Sequence, residues 1–226
     1  MGRVPRGIAP ARRATAYRVI MRQRPDVLVV DLDGVLRVFD PTAVRDVEVV
    51  YQLPPGTLLD IALRWELLQQ AVTGRITHEA WLNDVAAGLA ERMALTEKRA
   101  REAVDAWQAH RGAVDGVALD FVREVRAAGV PVGLATNSTA RLDRDLADLG
   151  LTDAFDMVVN SSVIGVHKPT REFFHEVCMA MSRSPENCLF VDDDDRNVRG
   201  ARVAGLSAYR WSGDDDLPYL RAALGL

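Results

Sequence analysis

Cysteine, lysine and long apolar runs are scarce in this chain of 226 residues, and each shortage closes a class of explanation. Two cysteines, Cys178 and Cys188, cannot frame a disulfide-stapled fold, and both fall in apolar segments that favour buried, inert thiols. A reduced, cytoplasmic setting is the simplest expectation. No stretch reaches the roughly 18 uninterrupted apolar residues of a membrane span, so no membrane partner is expected. The chain has neither a Walker A motif nor a Gly-rich dinucleotide fingerprint, and its acid runs lack the glycine and glutamate of a calcium-binding EF-hand loop. Internal repeats and low-complexity linkers are also missing.

What is there describes an ordinary globular protein, 48% apolar and 27% charged, long enough for one large α/β domain or a core with a smaller inserted lobe. The net charge of −4 conceals an asymmetry. Residues 1–24 hold seven arginines and no acid, which leaves −11 on the remainder. An acidic body argues against a nucleic-acid partner. The arm lacks the apolar core of a signal peptide. Its composition overlaps with organelle transit sequences, but a disordered tail, or a true start at Met21, is the expected reading.

The chain is organised around residues 26–36, where Val27-Leu-Val-Val30 runs into Asp31-Leu-Asp33-Gly34. A short, continuous apolar run rich in β-branched residues suits a strand buried on both faces of a parallel sheet. Ligands of such sheets lie at the carboxyl ends of the strands, where Asp31 and Asp33 emerge. Two acids this close repel, so the spacing calls for a cation, a shared proton or a phosphoryl group.

Beyond Asp33, residues 34–40 read as a turn and ribbon, 41–52 as a helix, and 57–110 as helices broken by a turn at Thr73-Gly74-Arg75. Strand and helix then alternate to the end, with strands near 130–135, 157–159, 188–191 and 207–210, as in right-handed βαβ units. The expected fold is α/β, a Rossmann-like parallel sheet with an inserted helical domain. Its division is a basic arm over 1–24, a core over 25–40 and 112–226, and a helical cap over 41–111.

Three later strand ends carry chemistry. An apolar strand runs into Thr136-Asn137-Ser138, whose groups suit either an anion or a helix N-cap. Lys168, one of only two lysines beside 26 arginines, precedes a helix and offers a compact positive charge. Cys188-Leu-Phe-Val191 leads into Asp192-Asp193, with Asn197 following, and hard oxygens in that number suit Mg²⁺.

Together, Asp31-x-Asp33-Gly34, Thr136, Lys168-Pro169 and Asp192-Asp193 with Asn197 resemble the haloacid dehalogenase-like (HAD) superfamily of phosphohydrolases, in family order. The insertion resembles that family's type I helical cap. The resemblance implies a Mg²⁺-dependent phosphatase acting on a small phosphorylated metabolite, as a monomer or homodimer. Asp31 would be the nucleophile. The metal would sit on the Asp31 carboxylate, the Asp33 backbone carbonyl and Asp193, with Asp192 a further ligand or water anchor. Asp33 would be the general acid and base. Thr136 and Asn137 would donate to the phosphoryl group, Lys168 would neutralise charge, and Asn197 would orient Lys168 or the acidic loop. Asp192 stands where the family usually has glycine, which leaves the carboxylate count on the metal open.

Alternatives stay open. A phosphomutase keeps the same residues. A 2-haloacid dehalogenase shares Thr136-Asn137 in the form Ser-Asn but lacks the second acid, so Asp33 argues for phosphate esters. A non-catalytic phospho-acceptor gathers similar residues in another order. Substrate choice is expected in the cap, with Arg37, Phe39 and Arg75 as candidate contacts. Trp65, Trp81 and Trp107 are expected to fill the cap's own interior. His78, His110 and His175 are expected at the surface or in packing, and His167 outside the site.

Overall fold

The structure, a computed structural model, describes residues 24–226. The basic arm expected over 1–24 therefore lies, Arg24 apart, outside the described residues. The chain begins its regular structure at β1 (Val27–Val30), whose four apolar residues are all buried. It then crosses a short ribbon strand, β2 (Arg37–Val38), into five successive helices. These are α1 (Pro41–Tyr51), α2 (Thr57–Ala62), α3 (Trp65–Val72), α4 (His78–Met93) and α5 (Glu97–Gln108). The chain returns through β3 (Ala113–Val114), which pairs antiparallel with β2, Arg37 opposite Val114.

The rest alternates as expected from the apolar pattern: α6 (Gly116–Ala127), β4 (Val132–Thr136), α7 (Leu142–Asp148), β5 (Met157–Asn160), α8 (Ser161–Ile164), α9 (Arg171–Met181), β6 (Cys188–Asp192), α10 (Asp195–Ala204), β7 (Ser207–Arg210) and α11 (Leu217–Leu224). The single turn of α8, closed by Gly165 in a left-handed conformation, carries no sequence period long enough to foresee.

Five strands form one parallel sheet in the order β5-β4-β1-β6-β7. Strand β1 is central: Leu28 stands opposite Val132 on one side and Leu189 on the other. Its side chains alternate between the two faces, so Val27 and Val29 pack with Phe173, Phe174 and Val177 of α9, while Leu28 and Val30 pack with Phe121, Val122 and Val125 of α6. This double burial explains why no polar residue interrupts the run. Chain order reverses across β1, because β4 and β6 flank it, and a crevice opens there beyond the strands' carboxyl ends.

The five inserted helices carry an apolar cluster of their own, with Leu58, Ile61, Val85, Leu89 and Val104 almost wholly buried. Local capping starts them: Asp40 accepts from the Thr42 amide beside Pro41, Thr77 from the Ala80 amide, and Thr96 from the Arg99 amide. Both cysteines are buried free thiols.

Candidate active site

Three adjacent strands deliver acids or hydroxyls to the crevice: Asp31 directly follows β1, Thr136 ends β4, and Asp192 ends β6. Lys168, in the loop before α9, reaches between them and is 2% exposed. Its ammonium lies 2.8 Å from Asp31 Oδ1 and 2.6 Å from Asp192 Oδ2. Asp192, wholly buried, also accepts from the Asp194 amide at 2.8 Å and from Asn197 Nδ2 at 3.1 Å on both oxygens. Asp193, exposed at the rim, completes the group. Ligand oxygens of Asp31, Asp192 and Asp193 all lie within 4.8 Å of one another.

Burial pushes the Asp31 carboxyl up to about 7; Lys168 pulls it back down and Asp192 raises it further. Lys168 is itself raised: burial works against its charge, and the Asp31 and Asp192 carboxylates more than offset that. The ammonium therefore keeps its proton. Asp193 is raised by burial and by the Asp192 charge. Three carboxylates on one ammonium leave two negative charges uncompensated, which a divalent cation offsets.

A second observation fits the same ion. Asp31 Oδ1 is buried and, though close to the ammonium, accepts no hydrogen bond of proper direction among the described residues. A buried oxygen without a donor calls for a partner, and a hard cation supplies one. The carboxylate oxygens of Asp31, Asp192 and Asp193 are the oxygen chemistry Mg²⁺ prefers. Asp192 offers an oxygen within reach of the same point, and its oxygens also accept from Lys168, Asn197 and the Asp194 amide, so it anchors the ammonium there as well.

Residues 32–37 fold into a tight turn, with Leu36 N and Arg37 N donating to Leu32 O at 2.8 and 2.7 Å. Gly34 makes it possible. Its φ of +79° disfavours side chains, and a Cβ there would collide with the Asp193 carboxylate. The turn sets Asp33 beside Arg37, whose Nε and Nη2 donate to the two Asp33 oxygens at 2.5 and 3.0 Å. The same guanidinium donates to Asp145 at 3.2 Å and is 6% exposed. Arg37 lines the cleft, as expected of a substrate contact, while its nitrogens bind Asp33 and Asp145.

Other expected residues divide. Asp31, Asp33, Gly34, Thr136, Asn137, Lys168, Asp193 and Asn197 all line one cleft of about 550 Å³. Asn137 does so while its side chain brackets the Lys168 backbone, accepting from the amide at 2.8 Å and donating to the carbonyl at 3.0 Å. Its side-chain amide thus braces the lysine loop. Arg75 is exposed and outside the lining of the cleft, since Gly74 turns away against the Ser162 carbonyl. Arg75 is therefore no part of the assembled site.

Trp81 and Trp107 pack in the helical cluster as expected, while Trp65 does not. Trp81 belongs to the helical cluster, yet Trp65, Trp81 and Trp107 together line a second cavity of about 260 Å³. Asp33, Arg37, Phe39 and Asn137 line both spaces, so the second cavity opens directly from the cleft. His78 stands in its wall, with Nδ1 2.9 Å from Thr139 Oγ1, and His167 packs edge-on against Trp65. Arg111 also lines it, half-buried, bonded to Gln108 and without an ion-pair partner among the described residues. No local pattern marks Arg111. Trp65, 44% exposed, could have been suspected from its place at a helix start rather than on an apolar stripe.

No helix of the described residues is long and apolar enough to cross a membrane. The family model described as haloacid dehalogenase-like hydrolase matches residues 25–205. A protein named as a phosphatase in Mycobacterium tuberculosis is 33% identical over 189 residues, covering 80% of this chain and 85% of that one. Two solved structures share the fold. One is a HAD family enzyme of Bacteroides thetaiotaomicron in complex with magnesium and inorganic phosphate, 20% identical, TM-score 0.67, covering 87% of this chain and 98% of its own. The other is the L-2-haloacid dehalogenase of Xanthobacter autotrophicus, 22% identical, TM-score 0.60, covering 89% and 84%.

Proposed function

The chain belongs to the haloacid dehalogenase-like hydrolases, and on that premise we propose that it hydrolyses a small phosphomonoester with Mg²⁺, through an aspartyl-phosphate on Asp31. The observation that carries the reading is the convergence of Asp31, Asp192 and Asp193 about one point, with Lys168 as their counter-charge. The phosphatase-named relative and the magnesium and phosphate complex of the structural neighbour support it.

Mg²⁺, held by Asp31, Asp193 and the Asp33 carbonyl, would offset repulsion between carboxylate and phosphate and stabilise the charge of the transition state. Asp31 attacks phosphorus, forming a new oxygen–phosphorus bond as the ester oxygen departs. Asp33, turned from Arg37 toward that oxygen, gives it a proton and leaves as carboxylate. It then takes a proton from the water that attacks the phosphoryl group and frees Asp31. Thr136, 1% exposed at the end of β4, donates to a phosphoryl oxygen, and Lys168 holds the entering carboxylate in aim.

The dehalogenase reading is weaker because it gives Asp33 no work, while Asp33 lines the cleft beside Asp31. The test is phosphate release from a panel of phosphomonoesters with and without Mg²⁺, for wild type and Asp31→Asn. Hydrolysis that needs both Mg²⁺ and Asp31, with an acid-stable, hydroxylamine-labile phosphoenzyme in wild type alone, is expected. Halide release from 2-haloacids without phosphate release would overturn it.

A further inference from the structure

The second cavity has a composition of its own. Its walls carry three indoles, from Trp65, Trp81 and Trp107, and the phenyl ring of Phe39 at the doorway to the cleft. Trp81 and Trp107 meet edge to face at 5.8 Å, so they form one continuous aromatic wall and not isolated surface rings. Leu63, Leu68 and Val72 extend the apolar lining. The rest of the lining is polar, with Gln108, His110, Ser138 and Thr139 among it, so the cavity joins an aromatic wall to hydrogen-bonding groups.

Charge is sparse and unequally matched. Arg37 is spent on Asp33 and Asp145, and Asp145 is shared with Arg141 at 2.8 Å. Arg111 is left over, half-buried and with no acid in ion-pair distance among the described residues. Burial and the nearby Arg141 charge lower its hold on the proton, and the more distant Asp145 and Asp148 charges offset this only in part. Asp33 stands where the two spaces join, so an alcohol leaving under its protonation departs toward the indoles.

We propose that the cavity is the leaving-group pocket, and that it selects phosphomonoesters whose alcohol joins an aromatic or similarly sized apolar body to an anionic group such as a carboxylate. The indoles and Phe39 take the body, and Arg111 pairs with the anion. The selection rests on the phosphatase reading; the pocket's affinity for the alcohol itself does not.

The test uses three alkyl esters of similar intrinsic reactivity: 2-phenylethyl phosphate, 2-(4-carboxyphenyl)ethyl phosphate and glycerol 1-phosphate. In the full chain with Mg²⁺, kcat/KM is expected to favour the phenylethyl ester over the glycerol ester by about tenfold or more. The carboxylated ester should gain about a further tenfold. In Arg111→Gln the ratio between the two phenylethyl esters falls toward one, and in Trp65→Ala, a half-exposed position that tolerates truncation, the preference over glycerol 1-phosphate shrinks. Binding of the free alcohol, 2-(4-carboxyphenyl)ethanol, is read separately by quenching of tryptophan fluorescence. Quenching that is weakened in Arg111→Gln, with no hydrolysis of any ester, supports the pocket and overturns the phosphatase reading. Hydrolysis without preference among the three, or quenching indifferent to Arg111, overturns the pocket and leaves the phosphatase reading standing.

Discussion

Arg37 grips both carboxylate oxygens of Asp33, at 2.5 and 3.0 Å, from four residues further along the chain. The arginine thus decides where the proposed acid points when it is not engaged with substrate. Arg37→Met should lower kcat about 10- to 100-fold, the usual worth of a positioned general acid, while KM changes little. Arg37→Lys should recover part of the loss. Steady-state kinetics on one phosphomonoester decide it: a raised KM with kcat intact would mean that Arg37 holds substrate instead.

Lys168 is the buried counter-charge for Asp31 and Asp192. Lys168→Met leaves those carboxylates buried without a cation, a loss of roughly 3 kcal/mol, or about 6–12 °C in Tm for a chain of this size. Thermal unfolding in chelator checks this. The deficit should narrow when Mg²⁺ is added, because a divalent ion then shares the same charges.

Removal of metal should itself be visible without any substrate. An ion that binds the folded chain alone raises stability with its concentration, by about 2.7 kcal/mol at a hundredfold excess over Kd. Tm is expected to climb with Mg²⁺ in wild type and to stay flat in Asp193→Asn. A Tm in wild type that ignores Mg²⁺ from micromolar to millimolar would remove the metal from the cleft.

His78 supplies a pH dependence away from the acids. Burial, helped by the Arg141 and Arg111 charges against the pull of Asp145, lowers its pKa from 6.5. Above about pH 6.5 the imidazole is neutral in both folded and unfolded chains. As pH falls below that, the unfolded chain takes up a proton that the folded chain still refuses, so stability drops until the lowered folded pKa is passed. His78→Asn should remove this portion of the slope. Urea unfolding of both proteins between pH 5 and 7 measures the difference, and parallel curves would count against it.

Much of this was legible from residue order. Val27–Val30 announced a strand buried on both faces because nothing polar interrupts it, and the acids after it had to leave at the crevice. Thr136 and Asp193 were legible because each follows an apolar run that ends at the same rim, and Lys168 because lysine is scarce and this one precedes a helix. What stayed hidden depends on side chains meeting across the fold. Asp192 and Asp193 are alike in sequence, yet only the first is saturated by Lys168, Asn197 and an amide. The Asp33–Arg37 pair has a spacing that suits a helix, and it forms on a turn instead. Trp81 and Trp107 pack in the helical interior as their apolar faces suggested, but their edges also line the second cavity, and Trp65 at the start of its helix stays exposed beside them.

The two-residue ribbon of β2 and β3 is where the chain departs for its five helices and where it comes back. Arg37 is one of its residues. Any pivot of the helices about this joint pulls on the same short span that steers the proton carrier. Were the helices to close as a lid, their travel and the proposed proton delivery would be geared to one another by a single peptide segment.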